Sequence, residues 1–275
     1  MTVEFRHDPN IMGAVKEIAV ALCPGLYTRA RGIRDRLAVA LEQRCSPYVS
    51  QKEIGSIPFA VWVCNTRERI TVDGVCFESE LIEDMVRCIK PGDTIFDIGS
   101  ATGTHAIPAA LKAGRNGVVW TFEPDEECAM GLQENLALNG LKNVRIMPVA
   151  LWREDCQLIL HTSGRSGTAA QVGELGGSGV NDFSRQDEVT ARRIDSLVEK
   201  GSMKAPDIIK IDVEGAGEAV LEGLGSLRPR HIFMEIHPLL GENRDGIMEF
   251  LQHKGYKIVS ESPRGGEIHV HFALS

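Results

Sequence analysis

The chain has 275 residues, 43% of them hydrophobic and 25% charged, enough for one large α/β domain plus an extension. A net charge of −8 gives no global basic footprint, which argues against nucleic acid or an anionic membrane surface as partner. The seven cysteines form no Cys-x-x-Cys, so reduced thiols in a cytoplasmic protein are expected, without disulfides or a zinc site.

The N-terminus has no signal-peptide pattern, and the apolar run Ile18 to Cys23 stops at Pro24-Gly25, too short to span a bilayer. Residues 10–45 read as two helices with apolar faces at Ile11, Val15, Ile18, Ala19 and Leu22, and at Ile33, Leu37, Ala38 and Leu41. They fit a cap, a lid or a homodimer element, and the sequence does not choose. Arg29, Arg31, Arg34 and Arg36 read as a solvated helix face, given their mixed spacing and Asp35. Ala60 to Cys64 and Arg69 to Val72 predict a β-hairpin turning out at Asp73-Gly74. Residues 1–76 thus form a helical and hairpin extension to a domain over 77–275. Ser79 to Ile89 predicts a helix stopped by Pro91-Gly92.

An α/β rhythm follows. Strands are predicted at Thr94–Ile98, Val118–Phe122, Val144–Val149, Asp207–Val213 and His231–Ile236. Helices fall at His105–Ala113, Glu126–Leu138, from Glu218, and at Asn243–His253. Tyr256–Ser260 and Ile268–Ala273 close the sheet, with an antiparallel pair expected. This alternation predicts a Rossmann-like, mostly parallel sheet with helices on both faces. Gln157–His161 and Glu188–Arg193 read as strands flanking the Gly/Ser-rich stretch Thr162 to Asp187, which is expected to be a substrate loop.

The first strand of that rhythm ends at Asp97 and runs into Gly99-Ser100-Ala101-Thr102-Gly103-Thr104. Glycines let backbone approach a ligand at the strand's carboxyl end. Gly-x-x-x-Gly is not the dinucleotide spacing, which points to S-adenosylmethionine (SAM), a cofactor without phosphate. Glu123, before Pro124 at the end of the second strand, can accept both hydrogen bonds of a ribose diol. Ala150, after the third strand, is expected beside the adenine, with Trp152 either stacked on the base or packed in the core.

The fourth strand carries Lys210, Asp212 and Glu214 at period two, on one face of a strand expected to be apolar. Two readings stand: a structural Lys210–Asp212 ion pair, or a polar floor under the reacting groups. Glu235 and His237 share a face at the fifth strand's end. His237 is either structural or takes a proton from an acceptor hydroxyl. Asp212, Glu214, Glu235 and His237 could instead hold a divalent cation, but nothing in the spacing demands a metal, and none is assigned.

Together these stretches resemble the FkbM family of SAM-dependent methyltransferases. The match runs from about Phe77 to Lys257. It includes Phe96 to Gly103, Phe122-Glu-Pro124, Glu134 to Asn139, Arg193 to Leu197, Met234 to His237 and, most distinctive, Ile208 to Ala216 with its Lys-Ile-Asp-Val-Glu-Gly run. The resemblance implies a class I methyltransferase fold with its family core at about 94–257. It also implies methylation of a hydroxyl on a sugar or natural-product-like small molecule, or on a glycan. Cofactor contacts are then expected from Asp97, Gly99, Ser100, Ala101, Gly103, Thr104, Glu123, Pro124 and Ala150. The reacting end is expected at His237, Asp212 and Glu214. The family usually carries Asn at the position of Ala101 and Glu at that of Gly217. An amine- or RNA-directed methyltransferase is the first rival; Asp212-Val-Glu214-Gly215 stands where amine-directed enzymes often place Asn/Asp-Pro-Pro-aromatic. A non-catalytic SAM-binding protein is the second.

Overall fold

The computed structural model describes residues 47–74, 77–163, 170–172, 185–201, 203–264 and 266–275. The predicted N-terminal helices, the four early arginines and most of the 162–187 stretch lie outside these residues.

The described chain begins with a hairpin, β1 (Tyr48–Ile54) and β2 (Ile57–Val63), followed by helices α1 (Thr66–Val72) and α2 (Ser79–Cys88). The hairpin therefore lies earlier than predicted, and Arg69–Val72 is helical, not a strand. The reason is local. Asn65 caps the helix by accepting the Glu68 N–H at 2.9 Å, and four residues of alternation cannot outweigh a cap. Then come β3 (Thr94–Ile98), α3 (Ala106–Ala113), β4 (Val118–Phe122), α4 (Glu126–Leu138) and β5 (Val144–Met147). Strand β5 ends two residues earlier than predicted. Ala150–Leu151 forms a separate strand, β6, in a second sheet with β7 (Cys156–Thr162), β8 (Gln171–Val172) and β9 (Arg185–Arg192). The two strands expected to flank the loop pair with each other, from Cys156↔Ala191 to Thr162↔Arg185. Helix α5 (Ile194–Glu199), β10 (Ile208–Ile211), α6 (Gly217–Glu222), β11 (His231–Ile236), α7 (Arg244–His253), β12 (Tyr256–Arg264) and β13 (Glu267–Leu274) complete the chain.

The main sheet has the order β12-β13-β11-β10-β3-β4-β5. All its pairings are parallel except those of β13, the expected antiparallel element. Chain order reverses between β3 and β10, which run side by side with Asp97 opposite Lys210. In open α/β sheets this switch point is where ligands bind, outside the strands' carboxyl ends.

Two apolar layers sandwich the sheet, and strand alternation assigns each residue to one of them. Phe96, Ile98, Ile209, Ile211, Ile232, Met234 and Ile236 pack toward α5, α6 and α7. Ile95, Ile208 and Phe233 pack toward the hairpin and α2, α3 and α4. The residues in phase with this second set are Asp97, Lys210, Asp212, Glu235 and His237. Period two thus delivers every charged strand-end residue to one face, under the N-terminal ends of α2 and α3.

Candidate active site

The glycine turn is held in shape by its own backbone. Ser100 Oγ donates to the Asp97 carbonyl at 2.8 Å, and Gly103 N–H donates to the Ser100 carbonyl at 2.8 Å. Gly99 has φ +76°, and a Cβ there would sit 1.9 Å from the Asp212 carbonyl oxygen, so only glycine lets β3 and β10 close together at the switch point. Ala101 has φ +45°, a left-handed conformation costing a side-chain-bearing residue roughly 1–2 kcal/mol. That conformation aims its N–H at Glu123 Oε2, 2.8 Å away. Thr104 closes the turn half-buried. Asn135 of α4, buried, donates to the Thr102 carbonyl at 2.9 Å and accepts the Trp62 N–H of β2 at 2.7 Å. One side chain ties the turn, a helix and the hairpin together.

Glu123 is buried at the end of β4, where Oε1 also accepts the Asp125 N–H at 3.0 Å. Burial pushes its carboxyl up to about 7, against the pull of these two N–H donors. Each oxygen keeps a lone pair for a further donor. Pro124 follows, half-buried, and Ala150 is buried in β6. Trp152 bonds through its backbone to Arg192 and packs on the second sheet's core beneath Arg153.

Asp97 is fully buried, and neither of its carboxylate oxygens makes a hydrogen bond. Burial raises its pKa; Lys210, with Nζ 3.6 Å away, works in the opposite direction. Lys210 itself bonds the Gly99 carbonyl and Asp212 Oδ2, each at 3.0 Å. Burial raises the Asp212 carboxyl, but Lys210 and His237 outweigh it and hold the group well below the usual carboxylate range. The ion pair read for Lys210 and Asp212 is therefore present.

His237 is buried just beyond β11. Its Nε2 lies 3.6 Å from Asp212 Oδ1 and its Nδ1 lies 3.8 Å from Glu214 Oε2. Burial lowers its pKa, but Asp212 and Glu214 prevail and raise it to about 9. The backbone is pinned by Glu242, which accepts the His237 N–H at 2.6 Å and the Gly217 N–H at 2.7 Å. Gly217 stands where the family usually carries Glu. A Cβ there would lie 2.3 Å from Met234 Cε and 2.8 Å from Glu242 Oε1.

The structure brings all three predicted reacting-end residues together beside the turn. It adds Glu78, His105 and His269, which sequence reasoning did not single out, around the already noted Glu235. Glu235 packs with His269 of β13, its direct cross-strand neighbour, and with Glu78 at the start of α2; His105 approaches Glu78 from the start of α3. Burial, with Asp212 and other nearby carboxylates, raises Glu235 well above the ordinary range and Glu78 to about 7. Burial lowers His105 well below its ordinary value and His269 to about 4. An isolated acid before a helix and a histidine in the antiparallel strand β13 carry no sequence signal for such a meeting.

A reversed-order parallel sheet, a Gly-x-x-x-Gly turn at its switch point and an acid closing the next strand define a Rossmann-like SAM-dependent methyltransferase. The family model "Methyltransferase FkbM domain" matches residues 97–258, more than half of the chain. The protein belongs to the FkbM methyltransferase family. Among its relatives is a protein named hexuronic acid methyltransferase AglP from Haloferax volcanii, 25% identical over 210 residues, covering 74% of this chain and 80% of the relative. Another is a 2-O-methyltransferase, NoeI, from Sinorhizobium fredii, 28% identical over 145 residues, covering 49% of this chain and 58% of the relative. A solved SAM-dependent methyltransferase from Aquifex aeolicus is similar at TM-score 0.42 and 14% identity over 74% of this chain and 91% of that one. Among the described residues, no helix is long and apolar enough to cross a membrane.

Proposed function

We propose that the protein methylates a hydroxyl group of a sugar-like or natural-product-like small molecule, a uronic acid being the first acceptor to test. The named activities of the Haloferax and Sinorhizobium relatives support this reading. SAM, whose sulfonium supplies an electrophilic methyl group, fits the residues present. The unbonded, buried oxygens of Asp97 suit an amino-acid ammonium, and Glu123 suits a ribose diol. Gly99, Ser100, Ala101, Gly103 and Thr104 form the turn between them, with Pro124 and Ala150 on the base side.

The observation that carries the reading is the placement of His237 between two carboxylates, 3.6 Å from Asp212 and 3.8 Å from Glu214, beside the turn. In this reading the neutral form of His237, which grows as pH rises toward about 9, accepts the hydroxyl proton as the acceptor oxygen is methylated. Asp212 and Glu214 then stabilise the imidazolium that results, and Lys210 keeps Asp212 ionised. The larger share of the rate comes from holding both reactants in attack geometry. To test this, purified protein and SAM are incubated with hexuronic acids, neutral hexoses and amine-bearing sugars. Formation of S-adenosylhomocysteine is followed, and the methyl position is read by NMR. A methyl on oxygen is expected; a methyl on nitrogen, or no turnover across the panel, overturns the proposal.

A further inference from the structure

We propose that Glu78, Glu235 and His269 form a binding site for one divalent transition-metal cation, next to His237. The three ligand-type atoms lie within 4.8 Å of one another. His269 Nε2 is 3.1 Å from Glu235 Oε2 and 3.6 Å from Glu78 Oε1. Donors bound to one such ion at ~2.0–2.2 Å stand ~3–3.5 Å apart, a range the two His269 distances already approach, and the two carboxylates, within 4.8 Å, need to close by at most roughly an ångström or two.

The second observation is the state of those atoms. Glu235 Oε2 and His269 Nε2 make no hydrogen bond, although the residues are only 5% and 8% exposed. Buried polar atoms without a partner are costly, and here they point at each other and at a further carboxylate. His105 Nε2, also buried without a hydrogen bond, lies 3.4 Å from the other Glu78 oxygen, the place of an outer partner that orients a ligand. Glu78 keeps 19% of its side chain exposed, which provides a route for entry.

Two neighbouring clusters are weaker. Asp212, Glu235 and His237 also converge, but Asp212 already has Lys210 at 3.0 Å. At Cys88, His231 and His271, the two imidazoles bond each other at 3.0 Å. Two carboxylates and one imidazole suit Mn²⁺, Fe²⁺, Co²⁺ or Zn²⁺ better than Mg²⁺ or Ca²⁺. Glu78 and His269 lie outside the 97–258 family match, so two of the three ligands are not residues of the matched domain. Three protein ligands leave positions open for an acceptor oxygen. That role rests on the hydroxyl-directed reading; the binding of the cation does not.

The test uses the whole chain, stripped with a chelator and titrated with Co²⁺ or Mn²⁺ in the absence of SAM and acceptor. One equivalent should bind, with visible Co²⁺ bands. Glu78→Gln and His269→Ala should abolish it while S-adenosylhomocysteine still binds. His105→Ala should weaken it roughly 10–100-fold. In the unsubstituted protein, bound Mn²⁺ should broaden the His269 ring resonances first. No saturable one-to-one uptake, wild-type affinity in both ligand variants, or broadening centred elsewhere overturns the proposal.

Discussion

Glu123 offers the sharpest test of the cofactor assignment, because burial and function oppose each other there. The carboxyl accepts N–H groups from Ala101 and Asp125, yet burial pushes it up to about 7. A ribose diol donates two hydrogen bonds and needs the ionised form. Apparent affinity should therefore fall as the carboxyl takes up a proton. With a pKa of about 7, S-adenosylhomocysteine should bind roughly 30-fold more weakly at pH 5.5 than at pH 8.5, about 2 kcal/mol. Stability should move the other way. The folded state holds this proton more tightly than the unfolded chain does, whose ordinary value is 4.5. Glu123 thus contributes stability below about pH 4.5 that is lost as pH rises through about 7, at most about 3 kcal/mol. Calorimetric titration across the range reads the affinity, with Glu123→Gln as control. The variant should bind weakly at pH 8.5 and lose most of the pH dependence. A flat wild-type curve, or the same slope in the variant, refutes the ribose assignment.

Four further outcomes are expected. His237→Ala should depress turnover with little change in S-adenosylhomocysteine affinity, and free imidazole should restore part of the rate; full activity without imidazole excludes His237 as the proton acceptor. Asn135→Ala leaves the Trp62 N–H and the Thr102 carbonyl unpaired, so its urea midpoint should drop by the equivalent of roughly 2–4 kcal/mol, and an unchanged midpoint rejects the tie between turn and hairpin. Gly99→Ala combines a positive φ with a Cβ 1.9 Å from the Asp212 carbonyl; it should cost roughly 2–5 kcal/mol in denaturation and abolish cofactor binding. Gly217→Glu introduces the family's usual residue yet should lower stability by roughly 1–3 kcal/mol, because its carboxylate would be buried beside Glu242 while Met234 and Glu242 shift to admit it; a stabilised variant contradicts that packing.

The strands Thr94–Ile98, Val118–Phe122 and His231–Ile236 were legible because each is a short apolar run bounded by turn residues, and the structure keeps those limits. The run at Arg69–Val72 was too short for alternation to compete with the Asn65 cap. Val149 was lost from its strand because the chain bends there and hands Ala150 to the second sheet, paired with Ala191. Such pairing depends on residues about forty positions apart and has no local signature.

The candidate site divides along the same line. Residue type, glycine spacing and strand alternation by themselves determined that Asp97, Glu123, Lys210, Asp212 and His237 would gather at strand ends, since period two and a parallel sheet leave charged side chains little choice of face; β10 ends at Ile211, short of the predicted Val213, so the turn, not alternation, sets Glu214. Only the tertiary structure decided what stands opposite them. Helix starts at Glu78 and His105, and an antiparallel strand bearing His269, meet Glu235 through packing of elements far apart in sequence. No local pattern encodes a contact between Glu78 and His269; it exists because α2 packs on the face of the sheet to which β13 presents His269, where burial makes the charges matter.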